Sequence, residues 1–175
     1  MSELHLIIGC MFSGKTTELL RIAKRLQSIG QDVLLINYAE DTRYSFNEVM
    51  THDLCSCNIV SHFTTDLSSV DYSNYSVICI NEAQFFTDLK EYCLGALGNS
   101  KKVCVSGLDG DFKQEPFGEI LNLIPICNTI NRLHAFCKVC KNGTPAYFTK
   151  RTTESKEQKL IGTDEYIPVC RHHLF

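Results

Sequence analysis

Three short groups of residues carry side chains and spacings that could do chemistry. The first is Gly9-Cys10-Met11-Phe12-Ser13-Gly14-Lys15-Thr16, in which two glycines bracket four residues and Lys-Thr follows. This is P-loop spacing: successive backbone N–H groups can cradle phosphate oxygens, a lysine can reach the outer phosphates and a hydroxyl can ligate Mg²⁺. The second is Asn81-Glu82, directly after the apolar run Val77-Ile78-Cys79-Ile80. An acid at the tip of such a run would stand beside the terminal phosphate and its metal, and Glu82 is the carboxylate of that tip. The third is the pair of pairs Cys137-Lys-Val-Cys140 and Cys170-Arg-His-His173, each with two intervening residues. Two such knuckles describe a closed tetrahedral Cys₃His zinc site. His172 stands one residue early for that spacing, so His173 is the preferred ligand.

These groups need a framework, and the flanking residues supply one. Leu4 to Ile8 reads as a strand entering the glycine loop. Leu19, Leu20, Ile22, Ala23, Leu26 and Ile29 then form one side of an amphipathic helix, closed by Gly30. Val33 to Asn37 is a second apolar run, typical of a strand covered on both faces. Strand, P-loop, helix, strand is the opening of a parallel α/β sheet. Asp41-Thr42-Arg43 falls just past the second strand, at the edge where open α/β sheets gather ligands. Val77–Ile80 gives another buried strand, Phe86 to Leu97 a helix, and Val103–Ser106 a further strand leading into Gly107-Leu108-Asp109-Gly110-Asp111-Phe112. Phe112 and Phe117 fall in loops, a position compatible with the edge of a core or with stacking on a ring. From Ala135 the pattern shifts to a turn at Asn142–Pro145 and short strand-like runs around Tyr147 and Leu160. Residues 1–134 are therefore expected to form an α/β nucleotide-binding domain and 135–175 a small metal-pinned one.

Composition excludes several classes. The chain has 175 residues, 44% hydrophobic and 21% charged, as expected of one globular core with a small satellite. A net charge of −3 without a basic stretch argues against a nucleic-acid polymer as partner. No apolar run reaches membrane-spanning length. The N-terminus enters its first strand without an export signal. With ten cysteines, few of them paired, this points to a reducing cytoplasm with metal ligands among the thiols. Cys79 and Cys104, inside apolar runs, read as small core residues.

Together, GCMFSGKTTEL, YAEDTRYS with THD, VICINEAQFFTD, GLDGDFKQEPFGEILNLIP and CKVC…TKR…LIGTDEYIPVCRHH resemble the type II thymidine kinases, cellular and poxvirus-like, in the order found in that family. The resemblance implies transfer of the γ-phosphoryl group of ATP to the 5′-hydroxyl of thymidine or deoxyuridine, in nucleotide salvage for DNA synthesis. It implies that Gly9 to Thr16, with Asp41, Thr42, Arg43, Asn81 and Gln84, hold the nucleotide and Mg²⁺. Lys15 and Arg43 would offset charge on the transferred group, and Glu82 would be the catalytic base. Met11, Phe85, Leu108, Phe112, Phe117 and Tyr166 would surround the thymine, with Phe112 stacked on it. Backbone groups of Gln158, Lys159, Leu160, Ile161 and Gly162 would bond the base edge from a loop spanning the zinc ligands. The likeness further implies a homotetramer and feedback inhibition by thymidine triphosphate.

Two positions depart from that family's pattern. Cys10 stands where a proline is common, and Asn81 where an aspartate precedes the catalytic glutamate. Asn keeps an oxygen acceptor but removes a charge that would orient the metal's water shell. That substitution leaves room for a second reading, a nucleotide-binding sensor without turnover. A third is a zinc-ribbon nucleic-acid binder with an ATPase core, against which the acidic balance weighs. Intact Lys15, Arg43 and Glu82 favour the enzyme.

Overall fold

The structure, a computed structural model, describes residues 1–41, 59–153 and 165–175. Thr42, Arg43 and the Gln158–Gly162 segment lie outside the described residues. Strand β1 (Glu3–Gly9) runs into the glycine loop and helix α1 (Lys15–Gln27), followed by β2 (Val33–Tyr38), β3 (Val60–Thr64) and β4 (Val77–Ile80). Helix α2 (Leu89–Gly98), β5 (Lys102–Gly107) and β6 (Thr129–Leu133) complete the larger unit. These six strands form one sheet in the order β3-β2-β4-β5-β1-β6, every pairing parallel. All their C-terminal ends therefore lie along one edge, which is where the glycine loop, Asn81-Glu82 and Leu108 emerge.

Strand alternation divides the core between the two faces. Leu4, Leu6, Ile8, Leu34, Ile36, Ile78, Ile80, Val103 and Val105 pack on one side with Phe86, Leu89 and Cys93. Ile7, Val33, Leu35, Val77, Cys79 and Cys104 turn to the other, beneath Leu19, Leu20 and Ala23 of α1. Cys79 and Cys104 are fully buried there, as expected of small core residues. A sheet covered on both faces explains the continuous apolar runs of β2 and β4.

Four features differ from the sequence reading. Helix α1 ends at Gln27, so Ile29 leaves the apolar stripe and is 72% exposed. Helix α2 begins at Leu89 rather than Phe86. A 3₁₀ turn at Ala83–Phe85 comes first, and Phe86 adopts extended backbone to drop its ring into the core. Strands β3 and β6 escaped the reading because they are sheet edges. Edge strands need no continuous apolar run, and Thr-Ile-Asn-Arg-Leu in β6 is almost wholly exposed.

The smaller part holds two two-stranded antiparallel ribbons, β7 (Ala135–Phe136) with β8 (Pro145–Ala146) and β9 (Phe148–Arg151) with β10 (Tyr166–Val169). Its buried cluster joins Ala135, Cys137, Ala146, Val169, Cys170 and Leu174 to Cys10 of the glycine loop.

Candidate active site and metal centre

The glycine loop has the backbone its sequence demands. Gly9 has φ 147°, and a Cβ there would lie 2.3 Å from the Leu133 carbonyl oxygen, so only glycine fits. Gly14 caps α1 in the left-handed region at φ 82°. Having no side chain, it leaves the first N–H groups of the helix to an anion. Phe12 sits between them at φ 62° and is 48% exposed, while Cys10 and Met11 are buried. Ser13 Oγ and Lys15 Nζ both donate to the Cys10 carbonyl, at 2.8 and 2.7 Å. Two bonds dock the loop on the smaller part: Met11 N–H donates to Thr149 Oγ1 at 3.0 Å, and Cys10 Sγ to the Ala146 carbonyl at 3.2 Å. A proline at position 10 would lack that thiol. Burial also pushes the Cys10 thiol pKa up, keeping it a neutral donor.

Thr16 Oγ1 donates to Asn81 Oδ1 at 3.1 Å, joining the loop to the tip of β4. Asn81 Nδ2 in turn donates to Asn37 Oδ1, 3.2 Å away at the end of β2. Both amides are buried. Thr16 Oγ1 and Asn81 Oδ1 are hard oxygen donors side by side, a set that suits Mg²⁺, which binds few protein oxygens and keeps its waters. Asp41, also buried, follows β2 at the same edge.

Glu82 has φ 51° and ψ 42°, left-handed backbone for a residue with a side chain. Such a conformation costs on the order of 1–3 kcal/mol and collects at functional sites. Its carboxylate accepts from Gln84 Nε2 at 2.7 Å, and Gln84 Oε1 accepts from the Leu108 N–H at 3.0 Å.

Met11, Leu108, Phe117, Tyr166, Phe85 and Phe112, drawn from four separate stretches, pack into one cluster. Phe85 and Phe117 meet edge to face at 5.5 Å. Asp111 shapes the loop carrying Phe112, its Oδ1 accepting from the N–H groups of Lys113 and Glu115 at 2.7 and 3.0 Å. Three contributors escaped the sequence reading. Arg151 lays its guanidinium on Phe112, 3.7 Å from the ring centre, and Nη2 donates to the Tyr166 hydroxyl. Thr149 holds the glycine loop, and Asn37 holds Asn81. For Arg151 and Thr149 the available signal was the alternation of Phe148-Thr149-Lys150-Arg151, which turns both toward one buried face. Asn37 had one too, a polar residue closing an apolar strand.

Cys137, Cys140, Cys170 and His173 converge with all ligand atoms within 4.8 Å of one another. The Cys140–Cys170 sulfurs are 3.8 Å apart, and His173 Nδ1 lies 3.7, 3.4 and 3.4 Å from Cys137, Cys140 and Cys170. A tetrahedron with metal–sulfur bonds of about 2.3 Å has edges of about 3.8 Å, so the donor set and its dimensions fit zinc. The Cys137 thiol sits at about 6: burial opposes ionisation, but backbone N–H groups at Cys140, Cys170 and Val139 outweigh it. Cys140 is shifted upward by burial and by its thiol neighbours.

Among the described residues no helix is long and apolar enough to cross a membrane. The thymidine kinase family model matches residues 2–174. A thymidine kinase of Oryza sativa subsp. japonica is 41% identical over 98% of this chain, which spans 65% of that relative. The thymidine kinase of Yaba monkey tumor virus is 40% identical, covering 96% of this chain and 92% of its own. The human cytosolic thymidine kinase is 39% identical, covering 97% and 71%. The chain belongs to the thymidine kinase family.

Proposed function

We infer that this protein transfers the γ-phosphoryl group of ATP to the 5′-hydroxyl of thymidine or deoxyuridine, giving the monophosphate and ADP. The observation that carries the reading is the convergence at one sheet edge of the glycine loop, the strained Glu82 and the aromatic cluster around Phe112. Phosphoryl transfer asks the protein for alignment and charge neutralisation rather than covalent chemistry. The backbone N–H groups from Gly9 to Thr16 bind the phosphates, and Lys15 leaves the Cys10 carbonyl to meet the outer ones. Thr16 and Asn81 would hold Mg²⁺, which would supply neutralising charge to the phosphates. Glu82 takes the 5′-hydroxyl proton. Met11, Phe85, Leu108, Phe112, Phe117 and Tyr166 give the base its apolar contact, and Arg151 braces Phe112 from one face. Arg43 and the backbone of 158–162, outside the described residues, keep the roles that the family resemblance gives them.

Zinc held by Cys137, Cys140, Cys170 and His173 would pin residues 135–175 as a small unit beside 1–134. Likeness to cytosolic relatives supports a cytoplasmic enzyme; the salvage role, homotetramer and inhibition by thymidine triphosphate are what the family resemblance implies, the last two checked by light scattering and by inhibition kinetics. The central test is conversion of labelled thymidine with ATP and Mg²⁺. Glu82→Gln should lower kcat by roughly 10²–10⁴-fold, and full turnover by that variant would sink the reading.

A further inference from the structure

Gln84 is 3% exposed at the centre of the 3₁₀ turn after Glu82, yet its side chain touches the tips of two strands. Leu108 N–H donates to Oε1 at 3.0 Å. A backbone amide can only donate, so the atom facing it must be the oxygen. The other end of the amide, Nε2, therefore faces Glu82, and it stands 2.7 Å from Oε2. A polarity set by main chain is passed through one side chain to the carboxylate. The amide has little freedom to turn away. A Cβ on Gly107 would lie 2.5 Å from Gln84 Oε1, and one on Gly118 would lie 2.1 Å from the Gln84 carbonyl oxygen. Both neighbours are glycine, and the chain closes on Gln84 from two sides.

We propose that Gln84 is a positioning residue that fixes the plane of the Glu82 carboxylate for proton transfer. The proposal rests on Glu82 being the base in the reaction inferred above. The N–H held on Oε2 fixes the rotation of the carboxylate and leaves it lone pairs with which to take the proton. In the transfer, the 5′-hydroxyl O–H bond breaks and its electron pair forms the new bond to the γ-phosphorus. The phosphorus bond to the bridging oxygen breaks with its pair going to ADP, and the proton ends on the Glu82 carboxylate. The backbone strain at Glu82, with φ 51°, aims the side chain, and Gln84 sets its rotation.

The test compares wild type, Gln84→Met, Gln84→Glu, Glu82→Gln and the Glu82→Gln/Gln84→Met pair. Steady-state kinetics, calorimetric thymidine binding and melting are measured for each. Gln84→Met removes both bonds. Gln84→Glu keeps an acceptor for Leu108 N–H but sets a second carboxylate against Glu82, a pair that shares one proton, so its pH–rate profile should also move from that of wild type. Both single changes should lower kcat by roughly 10- to 100-fold, the scale of a misplaced catalytic group, with thymidine affinity within about threefold of wild type. In the Glu82→Gln background, Gln84→Met should cost nothing further, because its effect passes through the residue already removed. Wild-type kcat in Gln84→Met would overturn the proposal, as would an undiminished loss on top of Glu82→Gln; either leaves the kinase reading intact. A wild type without turnover, or a fully active Glu82→Gln, would overturn both.

Discussion

Replacing Asn81 by Asp tests how the buried amides at the sheet edge hold the metal site. Asn81 bonds Thr16 through Oδ1 and Asn37 through Nδ2, both at hydrogen-bond distance. In the variant an oxygen replaces Nδ2 and faces Asn37 Oδ1, acceptor against acceptor at 3.2 Å in the present arrangement. Left so, the pair would cost about 1–3 kcal/mol. Asn37 has a remedy. Its Nδ2 is buried and has no hydrogen-bond partner among the described residues. Turning that amide end for end converts the clash into a charge-assisted N–H···O⁻ bond and satisfies the orphan donor. Burial of the new charge offsets part of the gain, so Asn81→Asp should stay within about 1–2 kcal/mol of wild type, roughly 2–8 °C in Tm. Removing the remedy should expose the cost. Asn37→Leu should destabilise the Asn81→Asp variant by about 1–2 kcal/mol more than it destabilises wild type, since a buried charge then loses its donor. Melting in a double-mutant cycle, with and without nucleotide and Mg²⁺, reads both effects. The added charge should also tighten half-saturation by Mg²⁺ about tenfold, near 1.4 kcal/mol. Equal Asn37→Leu costs in the two backgrounds would refute the amide-turn argument. An unchanged Mg²⁺ dependence would refute the view that Asn81 weakens metal use.

The remaining expectations concern the phosphate loop, the metal centre and one glycine. Lys15→Met should cut kcat by at least about 10²-fold while thymidine binding holds, because it removes charge directed at the transferred group; normal turnover in that protein contradicts the assignment. His173→Ala, or chelation, should release one zinc per chain and lower the melting temperature of the smaller unit, whose buried cluster is too slight to replace the metal. A metal-free protein that melts like the loaded one argues against this. In the metal-free chain the Cys137 thiolate is depressed to about 6, so its contribution to folding is complete above the ordinary thiol range and is lost as pH falls through about 6. The ultraviolet absorbance of the Cys137 thiolate should accordingly titrate with a midpoint near 6, and a midpoint near 8.5 rules the environment out. Gly118→Ala should destabilise by at least about 2 kcal/mol, because φ is +61° and the new methyl would overlap the Gln84 carbonyl. Wild-type denaturant midpoints would show that this approach is not tight.

Features encoded over a few neighbouring residues were readable from sequence alone. The glycine loop, the buried strands Val33–Tyr38 and Val77–Ile80, and the two metal-ligand pairs all announce themselves by local spacing, because phosphate cradles, covered strands and tetrahedral knuckles impose short-range rules. The presence of a whole family's motifs in order did the rest for the activity. Tertiary structure alone decided which distant groups touch. Nothing local to Asn81 says that it bonds Thr16 and Asn37, or that Arg151 covers Phe112. The late start of α2 was settled by Phe86, whose burial outcompetes helical continuation, and the edge strands β3 and β6 by pairing that their polar faces do not advertise. Local propensity fixes what a segment can be; the company it keeps comes from packing over long sequence separations, and there the chemistry of this site is aligned.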